Sequence, residues 1–151
     1  MDKSESTGTQ NLAIGQEKVD KWNALPLSYE PDDLVLLPDQ YKAVGYETRE
    51  MLMRAEVLEA FIAMLRSARG DGVEIGCVSA YRSAKYQAEV YQRAIEKEGE
   101  HQVSSAKPGH SEHQLGTAVD ISCPEVENCL VESFSETKAY EWLCQNAHQH
   151  G

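Results

Sequence analysis

Ser111-Glu112-His113-Gln114-Leu115-Gly116-Thr117-Ala118-Val119-Asp120 is the stretch from which the rest of the chain is read. It sets an imidazole and a carboxylate seven residues apart, with a glycine and small or apolar residues between them. Thr117, Val119 and Ile121 alternate with Ala118, Asp120 and Ser122, the period-2 pattern of a short strand that carries Asp120 on one face. Gly116 allows the chain to turn sharply from a loop bearing His113 into that strand. One loop ligand and one strand ligand can then converge on a single ion, and N/O ligation of this kind suits zinc. A surface histidine beside an ordinary strand aspartate meets the same spacing, so the segment alone leaves both readings open.

Around this segment the chain organises simply. Residues 1 to about 30 are polar, with Trp22, Leu25 and Leu27 as isolated apolar points, and read as a tail or extended arm before a domain over 31–151. Glu47 to Arg69 carries Met51, Leu52, Ala55, Leu58, Phe61, Ile62 and Leu65 at helical spacing, which predicts one long core helix. Gly70-Asp71-Gly72 ends it and feeds a strand from Val73 to Ser79. A second helix is expected from about Ser83 to Lys97, with Val90, Tyr91, Ala94 and Ile95 inward. Glu98 to Gly109 reads as a polar loop that delivers His113 to a cleft. Ser135 is the expected N-cap of a last helix carrying Ala139, Trp142, Leu143 and Ala147.

Composition narrows the partners. The 151 residues fit one domain with a real core. The formal charge of -11 disfavours nucleic acid or an anionic surface as a partner, and no apolar run is long enough to span a bilayer. Met1 to Ser6 lacks the apolar stretch of a signal peptide. Cys77 and Cys144 read as small buried hydrophobes in a strand and a helix. Cys123 and Cys129 flank a loop short enough to close with a disulfide and are equally compatible with free thiols; none of the four shows the CxxC spacing of a structural zinc site.

Taken in order, Ser79-Ala80-Tyr81-Arg82-Ser83, then Pro108-Gly109-His110 running into the His113 segment, then Glu141-Trp142-Leu143 and Asn146-Ala147-His148 resemble the zinc D,D-/L,D-carboxypeptidases of bacterial peptidoglycan, the group that includes the VanY-type enzymes. The resemblance runs from about Leu36 to Gly151. It implies an α+β fold shared with Hedgehog domains, with helices packed on a small, mainly antiparallel sheet and zinc at one edge. It implies His113 and Asp120 as metal ligands, Arg82 as the group that holds the substrate carboxylate, and Gln87 and Ser111 as further substrate contacts. An arginine leaving a strand end can bind a carboxylate bidentately, as a carboxypeptidase requires.

The activity so implied is removal of a terminal D-amino acid from peptidoglycan stem peptides, outside the cytoplasm in the cell envelope, with D,D- and L,D-specificity both open. In that family a third ligand and a catalytic glutamate come from a Glu-Pro-Trp-His segment beyond the last helix. The sequence ends at Gly151 without one and reads as a chain cut before its final strands. His148 and His150, two apart on a helical stretch, point in different directions and are poor substitutes. Glu112 adjoins a ligand and is expected to face solvent. The alternative is therefore a catalytically incomplete module that binds stem peptides or zinc.

Overall fold

The computed structural model describes residues 19–151. The part of the expected arm before Val19 lies outside the described residues. Two small antiparallel sheets and three helices form the domain. Strand β1 (Leu34–Leu36) pairs with β2 (Leu52–Arg54), Val35 facing Met53. Helix α1 (Ala55–Gly70) follows directly, and β3 (Gly76–Ser79) pairs with β4 (Asp120–Ser122), Gly76 facing Ser122. Helix α2 (Ala84–Glu98) falls between β3 and β4 in the sequence, and α3 (Lys138–Asn146) is followed by a 3-10 turn, Ala147–His150. The α+β class expected from the sequence is the one observed, with the sheet divided into two pairs. Tyr81 N–H, just past β3, donates to Leu52 O of β2 at 2.9 Å and ties the pairs together, while Ala43 N–H, in the segment joining β1 to β2, donates to Cys77 O of β3 at 2.8 Å.

The core forms where α1 lays Phe61, Leu65 and Ala68 over Met51, Met53, Ile75 and Cys77, with Trp142 of α3 against the same cluster. The indole N–H of Trp142 donates to Asp71 Oδ2 at 2.8 Å, so the turn that ends α1 also anchors α3. Such a buried N–H needs a partner, and Asp71 supplies it.

Several elements differ from the sequence reading. The long helix begins at Ala55, because Leu52 to Arg54 pair with β1 and the carbonyl of Met51 accepts from Leu37 N–H at 2.8 Å. Met51 and Met53 are buried in the core either way, so a short apolar run satisfies both periods and tertiary pairing decides. Strand β3 starts at Gly76 rather than Val73, and β4 at Asp120 rather than Thr117. Ser83 caps α2 by accepting from Tyr86 N–H, whereas α3 is capped by Thr137, not Ser135, which lies in a preceding 3-10 turn. Cys123 and Cys129 are free thiols: Cys123 is buried while Cys129 is exposed, and the loop is closed by Asn128 N–H donating to Cys123 O at 2.9 Å. Cys144, expected to be buried, is on the exposed face of α3.

Candidate active site

The site is assembled by three local devices. The first is the short turn Glu112–Leu115, a 3-10 helix where a plain loop was expected, capped by Ser111, whose Oγ accepts from His113 N–H at 3.2 Å. It ends at Gly116 in the left-handed region, φ 75°, which returns the chain toward β4. The second is an irregularity in the β3–β4 ladder between Cys77 and Ser79, which sets Asp120 opposite Ser79. Bulges of this kind re-aim side chains at the rims of sheets. The third is the exit from β3, where Arg82 N–H donates to His113 O at 3.1 Å and so fixes the two segments to each other.

These devices bring Arg82, His113 and Asp120 together at the wall of one cleft of about 570 Å3, which Ser111 and Glu112 also line. Asp120 divides its oxygens: Oδ2 accepts from Arg82 Nη2 at 3.0 Å and Oδ1 lies 3.4 Å from His113 Nε2. Burial raises the pKa of the Asp120 carboxyl, but the hydrogen bond and charge of His113 and those of Arg82 outweigh it, and the group is held below its ordinary value. Arg82 Nε donates to Ser79 Oγ at 3.1 Å, so the guanidinium is gripped at two points. Two of its five N–H donors are used in this way, leaving others to meet a carboxylate in the cleft.

The ring of His113 is oriented by a backbone group. Its Nδ1 lies 2.7 Å from the carbonyl of Ala80, which can only accept, so Nδ1 carries a proton and Nε2 faces Asp120. The Ala80 carbonyl thus fixes the ring so that Nε2 is the nitrogen aimed at Asp120, and a metal-binding histidine is oriented by just such a partner on its other nitrogen. The donor set of one imidazole nitrogen and one ionised carboxylate oxygen therefore fits zinc as part of a ligand shell. Among the described residues no cluster of three His, Cys, Asp or Glu side chains is placed to hold a metal ion. His150 stacks on Trp142 with ring centroids 6.4 Å apart and lines a separate cavity with Phe61 and Met64.

Gln87 lies beneath the cleft rather than in its lining. It is 2% exposed, and its Nε2 donates to Ala106 O at 2.8 Å, which holds the segment between α2 and the His113 turn. Its Oε1 is buried without a protein partner. The Ser79 hydroxyl and the Ala80 carbonyl were not singled out from the sequence. Ser79 belongs to the quoted motif and carried that signal, whereas a backbone carbonyl leaves no trace in residue identity.

Residues 50–151 match the family described as VanY: D-alanyl-D-alanine carboxypeptidase. YodJ of Bacillus subtilis (strain 168), a provisionally assigned carboxypeptidase, is 36% identical over 135 residues, covering 88% of this chain and 49% of YodJ. A D-alanyl-D-alanine carboxypeptidase of Enterococcus faecalis (strain ATCC 700802 / V583) is 25% identical, covering 98% of this chain and 57% of that protein. The chain thus spans about half the length of these curated relatives. Among solved structures, the LdcB LD-carboxypeptidase superposes with a TM-score of 0.78 at 34% identity, over 88% of this chain and 63% of that one. A VanY D,D-pentapeptidase in complex with Zn(II) gives a TM-score of 0.61 at 25% identity, over 89% of this chain and 72% of that one.

Proposed function

The chain belongs to the VanY D-alanyl-D-alanine carboxypeptidase family, and from that premise we propose that it forms the substrate-carboxylate and metal-binding part of a zinc carboxypeptidase acting on peptidoglycan stem peptides. The convergence of Arg82, His113 and Asp120 on one cleft carries this reading. In it, Arg82 takes the terminal carboxylate of the peptide, positioned by Ser79 and Asp120. His113 and Asp120 would hold the ion, and zinc bound there would supply Lewis acidity toward the scissile carbonyl and acidify the attacking water. Ser111 holds the turn on which His113 sits, and the Ala80 carbonyl keeps the proton on Nδ1, so the imidazole remains available at Nε2. Gln87 acts through the Ala106 carbonyl and shapes the cleft wall from below.

Action on stem peptides implies work outside the cytoplasm, in the cell envelope. Among the described residues no helix is long and apolar enough to cross a membrane. Relatives act on either D,D- or L,D-peptides by their names, and the cleft supports both chemistries alike, since both substrates end in a free carboxylate.

The test is calorimetric binding of Ac-Ala-D-Ala-D-Ala and of its C-terminal amide, with and without zinc, followed by assay for released D-alanine. The acid should bind at least about tenfold more tightly than the amide, given the usual worth of a charge-assisted bidentate contact. Arg82→Gln should erase the difference. Equal affinity for acid and amide in the unsubstituted chain would sink the reading. The second reading, a module that binds peptide without cleaving it, is favoured by the lack of a third metal donor among the described residues. Peptide binding with no D-alanine release would select it.

A further inference from the structure

The cleft holding Arg82 and His113 continues beyond its own wall. Ser105, Ala106 and His110 form one side of it and, at the same time, one side of a second groove of about 500 Å3. The far rim of that groove comes from Lys21 and Trp22 of the N-terminal arm, Tyr91 of α2, and Val103 and Lys107 of the segment after α2. Trp22 is 83% and Val103 96% exposed, so two large apolar groups stand in water at its mouth. The whole chain has 25 acidic residues against 14 basic ones, yet among the described residues none that line this groove is acidic and two are lysines. Lys21 Nζ sits 5.5 Å from the centroid of the Trp22 ring. A cationic groove on an otherwise acidic molecule selects an anion, because the surrounding surface repels it elsewhere.

The rim is fixed rather than incidental. Leu25 N–H donates to Gly109 O at 2.7 Å, and His110 Nδ1 meets Asp20 O at 2.8 Å. Gln114, one residue after His113, donates from Nε2 to Pro26 O at 3.0 Å and Tyr29 O at 3.1 Å. The arm bearing Lys21 and Trp22 is thus fastened to the same turn that carries His113, and the distance between groove and cleft is set by the fold.

We propose that the groove is a second subsite, which binds a non-terminal carboxylate of the peptide whose terminal carboxylate lies at Arg82. This rests on the function proposed above and deepens it: the chain selects peptides with an acidic group upstream of the bond presented in the cleft. Lys21 and Lys107 receive the carboxylate, the faces of Trp22 and Tyr91 cover the adjoining aliphatic part, and the peptide crosses between the sites along Ser105, Ala106 and His110.

The experiment compares Ac-Glu-Ala-D-Ala-D-Ala with Ac-Gln-Ala-D-Ala-D-Ala by calorimetry at low salt on the 151-residue chain. The glutamate peptide should bind about fivefold more tightly, the scale expected for exposed charge pairs. The double substitution Lys21→Gln, Lys107→Gln should abolish that preference and leave the affinity for the glutamine peptide unchanged. No preference in the unsubstituted chain, or one that survives the double substitution, overturns the proposal. The C-terminal amide of the glutamate peptide separates the two ideas. If the amide loses binding and glutamate and glutamine peptides bind alike, the groove is wrong and Arg82 stands. If the amide binds as the acid does, the Arg82 reading fails, and the glutamate–glutamine comparison still decides the groove. Failure of every peptide to bind overturns both.

Discussion

Gly116 joins the His113 turn to the Asp120 strand, and Gly116→Ala tests how that junction is built. The backbone there has φ 75°, and an added Cβ would lie 3.0 Å from Arg54 Cγ, 3.0 Å from Leu34 Cδ2 and 3.2 Å from Pro31 Cγ. Arg54 is not free to retreat: it is buried, and its Nε donates to Asp33 Oδ1 at 3.1 Å. Placing an L-residue in the left-handed region costs about 1 kcal/mol. Crowding a packed site adds about 1–3 kcal/mol. Gly72 provides the comparison, since its φ is 77° but nothing lies within 4 Å of a Cβ built there. Gly72→Ala should therefore show the backbone cost alone, about 1 kcal/mol, and Gly116→Ala about 2–4 kcal/mol. With a urea slope of about 2 kcal/mol/M, the midpoint should fall by about 1–2 M for Gly116→Ala and about 0.5 M for Gly72→Ala. Urea unfolding followed by circular dichroism reads both. Equal losses in the two variants would show that the packing of Leu34, Pro31 and Arg54 against this turn contributes nothing.

Other expected outcomes follow from particular contacts. Trp142→Phe removes the donor to Asp71 and should cost about 1–2 kcal/mol in thermal or urea unfolding; an unchanged midpoint would mean that α3 is held by apolar packing alone. Ser79→Ala should leave the fold intact but weaken binding of the free-acid peptide about fivefold, because the guanidinium of Arg82 loses one of its two grips. Burial pushes the Cys77 thiol up from 9.0 to about 12. The native chain then keeps a proton that the unfolded chain has lost, so stability is full below pH 9 and declines toward pH 12, by at most about 4 kcal/mol. Cys77→Ala should flatten that alkaline decline. Asp120 has the opposite sign: its carboxyl is held below the ordinary 3.8, so its contribution is present above that pH and is lost as the pH falls below it. Asp120→Asn should make the acid limb shallower, and an acid limb identical to that of the unsubstituted chain would deny the pairing with Arg82 and His113.

Much of the architecture was legible along the chain, because it rests on local rules. The Phe61 and Leu65 stripe of α1, the start of α2 near Ser83 and the glycine after the His113 turn are set by periodicity, local propensity or backbone freedom, and each was found where the residues put it or within a residue or two. The pairing of Leu52 to Arg54 was not legible, since three apolar-flanked residues are too few to declare a period. Nor was the cap of α3, where Ser135 and Thr137 offer the same chemistry two residues apart and only the preceding 3-10 turn decides between them.

The candidate site divides in the same way. The sequence by itself named a histidine, an aspartate and an arginine whose chemistry suits a metal and a carboxylate, because those side chains carry that chemistry wherever they stand. Only the tertiary structure brought residues 82, 113 and 120 to one cleft wall, by a ladder irregularity at Ser79 and a backbone bond from Arg82 to His113. Only it gave His113 its tautomer, through the Ala80 carbonyl, and fastened an arm some ninety residues away in sequence beside the cleft. Contacts between distant segments are settled by the summed packing of the whole chain, and backbone groups, which make many of them, are the same in every residue.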